Sequence, residues 1–213
     1  MTKNNNKGRY GIGRDSSRIQ KKRPLRKVLI IQTEGLTEFS YFKGFKSNEI
    51  RVFDIKIYKG KGGGANKILE ELENHISENY QSIDENFYSC WIVIDTDKKG
   101  KGDVCFQKIN TWNKKDNNNL ILTNPEFEYW LLLHFEDGCK NSHKKDCINE
   151  LGKHLSGYDP NHKSLNQSQI SKLMNNLDTA LSNAKARAFN NWPDQLGQTN
   201  VHLLVEEIQK KDS

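Results

Sequence analysis

The sequence predicts an α/β fold: a mostly parallel sheet with helices on both faces, followed by a C-terminal helical extension. Three observations lead to the sheet. Continuous apolar runs at residues 28–31 and 90–94 have the character of strands buried on both faces. Segments with apolar residues at helical spacing lie between and after them. The two kinds of segment alternate through the first 135 residues, which is the pattern of a doubly wound sheet.

The first strand runs through Val28, Leu29, Ile30 and Ile31 and gives way to Gln32-Thr33-Glu34-Gly35. Thr37 is placed to cap a helix after Gly35. On that helix Phe39, Phe42 and Phe45, spaced by three, form one apolar face, with Tyr41 beside them. Val52, Phe53, Ile55 and Ile57 mark a second strand of mostly alternating character. Gly60, Gly62, Gly63 and Gly64 form a loop before an amphipathic helix carrying Ile68, Leu69, Leu72 and Ile76.

The third strand, Cys90 to Ile94, stops at Asp95, and a polar loop follows through Asp103. Phe106, Ile109 and Trp112 suggest a helix, and Leu120, Ile121 and Leu122 a short fourth strand ending at Asn124-Pro125. From Glu126 to Phe135 the apolar density is too high for a surface helix, so a helix buried against the sheet is expected, with Gly138 to stop it. Beyond it Ile170, Leu173, Met174, Leu177, Ala180, Leu181, Ala184 and Ala188 hold one helical spacing throughout. Val201, Leu204, Val205 and Ile208 mark a last short helix. The chain is thus read as a basic, disordered arm (1–26), an α/β core (27–136) and a helical extension packed on it (137–213).

Charge separates the arm from the body. Residues 1–27 hold ten Lys/Arg against one acid, Asp15, a net +9, whereas the remainder holds 23 basic and 26 acidic residues, a net −3. An arm of this kind seeks phosphate, since contacts with a polyanion gain from counterion release. Lys21, Lys22 and Arg23 are its densest cluster, and the same composition also suits a solvated tail. No apolar run reaches the ~18 residues of a membrane span, and the polar N-terminus offers no signal peptide, so the expected location is the cytoplasm and no membrane is expected as a partner. Cys90, Cys105, Cys139 and Cys147 lack paired spacing; Cys139, His143 and Cys147 fall short of a tetrahedral zinc set.

Three strands end in acids: Ile31 leads to Glu34, Ile94 to Asp95 and Asp97, and Leu122 to Glu126 and Glu128. Loops at the carboxyl ends of parallel strands converge on one crevice, so these acids are expected to meet there. Clustered carboxylates repel one another unless a cation sits among them, and Mg²⁺, or Mn²⁺, is the usual partner of phosphate chemistry. Any one of these acids alone also suits a helix cap or loop. Asp95-x-Asp97 resembles the aspartyl phosphatase motif, but Lys99 stands where that motif has Thr or Val. There is no GxxxxGK[ST] P-loop, and GRYGIGR at 8–14 follows no strand, so neither nucleotide-binding motif is supported. Gly62, Gly63 and Gly64 suit either phosphate contact or a mobile connection. His134, in an apolar helical segment, reads as a core histidine.

VLIIQTEGLTEFSYF at 28–42, IVIDTDKK at 92–99, NPEFEYWLLLHF at 124–135 and TNVHLLVEEI at 199–208 resemble the RloB-like family of bacterial phage-defence proteins. Relatives of that family include the RloB-type component of AbiL abortive-infection systems, and the family resembles the Toprim nucleases. The resemblance implies that Glu34 matches the Toprim glutamate and that Asp95 and Asp97 match its aspartate pair, so these three are the expected metal ligands. Glu38 and Glu128 match further acids of the family's motifs and complete the expected catalytic set. Lys98, Lys99 and Lys101 lie outside the general Toprim pattern; they suit contact with a nucleic-acid backbone and equally a solvated basic loop. The expected function is Mg²⁺-dependent cleavage of DNA or RNA in anti-phage defence, with an ATPase as a plausible partner protein. The competing expectation is a Toprim-fold regulatory subunit that binds nucleic acid or nucleotide without cutting.

Overall fold

The computed structural model of the protein describes residues 27–47, 53–80, 84, 88–97, 99–138 and 144–210. Its centre is a sheet of order β2-β1-β3-β4-β5, built from β1 (Lys27–Thr33), β2 (Phe53–Lys59), β3 (Tyr88–Asp95), β4 (Asn118–Asn124) and β5 (Gln198–Thr199). The first four strands are mutually parallel, and β5 pairs antiparallel with the end of β4. The mostly parallel α/β sheet expected from the sequence is present, consistent with a Toprim-like fold.

Strand residues alternate between two apolar clusters, because successive side chains point to opposite faces. Leu29, Ile31, Trp91, Val93 and Ile121 join one cluster, and Ile30, Cys90, Ile92, Ile94, Leu120 and Leu122 the other. The second face is covered by α2 (Ala65–Asn79) and α3 (Gln107–Trp112) through Ile68, Leu72 and Ile109. The first is covered by α1 (Leu36–Lys43), α4 (Phe127–Leu132), α5 (Lys144–His154), α6 (Gln167–Asn175), α7 (Leu177–Lys185) and α8 (Val201–Gln209). Leu151, Leu173, Ala180 and Leu204 therefore share one core with Leu29 and Phe42. At roughly 1.5–3 kcal/mol for each large apolar side chain buried, the C-terminal helices contribute much of that face's stability.

Five details differ from the sequence reading. Thr37 does not cap α1: Gly35 is the N-cap residue, in extended conformation and without a side-chain bond, and Thr37 lies inside the helix, facing other elements. Phe42 and Phe45 are buried on the α1 side while Phe39 is only partly so. The long helical spacing from Ile170 to Ala188 is interrupted at Asn176, which ends α6 and starts α7, and α7 stops at Lys185. The helix α5 carried no clear signal, since its polar residues outnumber its buried Cys147 and Leu151. The two-residue β5 is too short for any period to reveal. Among the described residues no helix is long and apolar enough to cross a membrane.

Candidate active site

The carboxylates sit at the carboxyl end of the sheet, held there by backbone bonds between neighbouring strand ends. Glu34 N–H donates to the Val93 carbonyl (3.1 Å), Thr96 N–H to Thr123 (3.0 Å) and Asp97 N–H to Pro125 (3.3 Å), next to a cis Asn124-Pro125 bond. Three loops are tied together before any side chain is considered. On the far side Gly60 N–H donates to the Thr33 carbonyl at 2.8 Å. A Cβ at position 60 would lie 2.6 Å from that same oxygen and 3.0 Å from the Glu34 carbonyl, so only glycine permits this approach.

Four carboxylates meet on this edge. Glu34 Oε2 accepts from the Asp95 backbone N–H at 3.3 Å. Glu38, in the first turn of α1, is 4% exposed, and its Oε2 would lie 2.9 Å from a Cβ at position 35, which makes Gly35 the floor of its position. Glu128, in the first turn of α4, is 2% exposed; its Oε1 accepts from Tyr158 (2.6 Å) and from Thr37 (3.3 Å). Asp95 closes the group from β3, and its Oδ1 is a buried atom without a hydrogen-bond partner.

Their electrostatics show the crowding. Burial pushes Glu38 up to about 8; repulsion from Glu128 and Glu34 adds to this, while its own backbone N–H and Lys163 act against it. Asp95 is raised well above the usual carboxylate range, by burial first and then by Glu38, Glu128 and Glu34. Glu34 is raised by burial and Asp97, opposed by the Asp95 N–H and by Lys99 and Lys163. All-oxygen donors, mutual repulsion and an orphaned Asp95 Oδ1 suit a hard divalent cation.

A model of the RloB-like protein family matches residues 29–208. The chain belongs to the RloB-like family. Comparison with curated proteins and with solved structures gives no match. The matched stretch contains all five acids expected to act, and it extends into α8, so the family includes the C-terminal helices as well as the sheet.

The acids of this RloB-like chain are not equivalent. Asp97 is exposed and takes a left-handed backbone (φ 49°), a conformation Asp tolerates better than most residues. It faces Glu34 from the rim, whereas the buried Glu38 and Glu128 both act on the half-buried Asp95, so the structure groups Glu38 and Glu128 with Asp95 more closely than the sequence motifs alone would. Lys99 is exposed and acts on Glu34, and Lys101 is exposed further along the same loop; Lys98 and the arm residues Lys21, Lys22 and Arg23 lie outside the described residues, as do Cys139 and His143. His134 is a core residue: buried, bonded through its two ring nitrogens to Tyr41 OH and the Trp130 carbonyl, and lowered to about 4 by burial. A separate trio, Glu136, Glu150 and His154, brings its ligand atoms within 4.8 Å of one another, which Glu34, Asp95 and Asp97 do not.

Sequence reasoning missed Tyr158, Lys163 and the role of Thr37. The turn after α5 carries Tyr158 to Glu128, and Thr37 also donates to the Lys163 carbonyl at 3.1 Å, pinning that turn over the acids. The polar stretch YDPNHK at 158–163, between two helices, is the only signal for them in the sequence.

Proposed function

We propose that this RloB-like protein is a Mg²⁺-dependent nuclease of the Toprim type, with Mn²⁺ as an alternative ion, that cleaves phosphodiester bonds in anti-phage defence. The observation that carries the reading is the convergence of Glu34, Glu38, Asp95 and Glu128, from three strand ends, on one edge of the sheet, where Asp95 Oδ1 has no hydrogen-bond partner. Pure phosphate binding is better served by Lys and Arg than by buried acids. Glu34, Asp95 and Asp97 would hold the cation, which when bound supplies an acidified water and neutralises charge on the phosphate.

The chain's own groups have distinct duties. Tyr158 and Thr37 fix the Glu128 carboxylate, so that it can orient water at the site without swinging away. Glu38, whose burial favours its protonated form at neutral pH, is suited to proton transfer. Lys163 and Lys99 offset the acids' field, which otherwise repels a phosphodiester.

The test measures substrate affinity and cleavage rate for Glu34→Gln beside wild type in Mg²⁺, on plasmid, single-stranded DNA and total RNA, with and without a neighbouring ATPase. A large fall in rate at preserved affinity supports the nuclease. Absence of cleavage by the wild type on every substrate, with or without partner, sinks it in favour of a non-cleaving binding subunit.

A further inference from the structure

The segment between α7 and β5 is fastened to the candidate active site. Trp192 Nε1 donates to the Lys99 carbonyl at 3.2 Å, and the Trp192 ring meets Phe106 edge-on with centroids 4.9 Å apart. Asn124 Nδ2 donates to the Pro193 carbonyl at 2.9 Å, and Gly197 N–H returns a bond to Asn124 at 2.8 Å. The loop that leaves Asp97 and the end of β4 thus share a wall with residues 188–197.

Outside that wall lie two cavities, of about 510 Å³ and about 470 Å³, which share Lys101, Phe189, Asn190 and Asn191 and so form one groove. The larger holds no acid among its lining residues and adds Asn113 and Lys114; Asp194 is the single acid of the smaller. An almost acid-free groove is notable on a body whose net charge is −3. Three kinds of its side chains suit a nucleic acid. Lysines attract phosphate, exposed amides both donate and accept as base edges require, and the half-buried Phe189 offers a ring face on which a base can stack. Leu203, 47% exposed, gives the rim an apolar contact.

Resting on the nuclease reading, we propose that this groove binds one strand of a nucleic acid with its bases unpaired and leads it past Lys101 to the carboxylates. Lys101 is four residues from Asp97, a reach of at most about 14 Å of chain. An aromatic ring can stack on a base only when the base's face is free of its neighbours in a duplex, which favours a single strand over paired DNA.

The experiment is fluorescence anisotropy with the full-length chain in chelator, where cutting does not interfere, using labelled single-stranded RNA, single-stranded DNA and duplex DNA of equal length across a salt series. Lys101→Ala/Lys114→Ala is expected to weaken single-strand binding by about tenfold and to reduce the salt slope by about 1.4, at roughly 0.7 per phosphate contact. Asn191→Ala, at an exposed position where the fold is not at stake, and Phe189→Leu are expected to weaken single strands several-fold and leave duplex binding unchanged. The preferred single strand, RNA or DNA, identifies the substrate. Variants that bind like wild type, equal losses on duplex, or no single-strand binding by the wild type would overturn the groove. Cleavage that persists while binding ignores these residues overturns the groove alone; groove-dependent binding without any cleavage in Mg²⁺ overturns the nuclease alone.

Discussion

Tyr158 donates a 2.6 Å hydrogen bond to Glu128, joining a turn of the C-terminal helical region to a carboxylate at the mouth of the sheet. Because Glu128 is buried, that bond has little competition from water. Bonds to charged groups are worth about 1.5–3 kcal/mol. Tyr158→Phe keeps the ring and deletes the donor, so the urea midpoint is expected to fall by a corresponding amount and cleavage to fall with it. An unchanged midpoint and unchanged rate would mean that Glu128 is held by Thr37 alone.

Stability should depend on pH in a direction opposite to that of ordinary surface acids. Glu38 sits at about 8 in the folded protein against 4.5 when unperturbed, and Glu34 and Asp95 move the same way. The folded state therefore holds protons that the unfolded chain releases. This stabilisation is complete below about pH 4.5 and is lost as pH rises through about 8. In chelator the melting temperature is expected to fall steadily from about pH 5 to about pH 8, and saturating Mg²⁺ to remove most of the fall. Asp95→Ala or Glu38→Gln should flatten the curve by removing one of the repelling acids. A flat wild-type profile in chelator would show that the acids ionise at no cost.

Two glycines separate stability from activity. Gly60→Ala places a methyl 2.6 Å from the Thr33 carbonyl oxygen, and backbone cannot yield there as a side chain would. A loss of about 1–3 kcal/mol is expected, as for other overpacked sites. Gly35→Ala meets only the Glu38 carboxylate, at 2.9 Å, which can rotate away. Its melting temperature should stay near wild type while cleavage drops. The reverse ranking of the two melting temperatures would contradict the assigned contacts.

The main features of the sheet were legible in the sequence because buried parallel strands are written locally. Leu29–Ile30–Ile31 and Ile92–Val93–Ile94 are apolar on both faces, and the structure divides their side chains between two clusters. Glu34, Asp95 and Glu128 were legible as candidates for the same reason: each stands at or just after the end of such a run, where parallel connectivity brings strand ends together. By itself, then, the sequence determined the four parallel strands, the family resemblance and the acids that stand at the strand ends.

Tertiary structure alone decided how the acids divide and what restrains them. Asp97 turns to the rim through a left-handed backbone, whereas Glu38, on a helix that exposes other positions, is driven inside. Neither burial follows from spacing. Tyr158 and Lys163 reach the site from positions some 30 and 35 residues beyond Glu128, and Trp192 seals the Lys99 loop from further still. The first two contacts arise because α5 to α8 pack on the face of the sheet that α1 also covers, whereas Trp192 joins the cluster on the other face, and a chain's long-range contacts depend on packing geometry that no local period encodes.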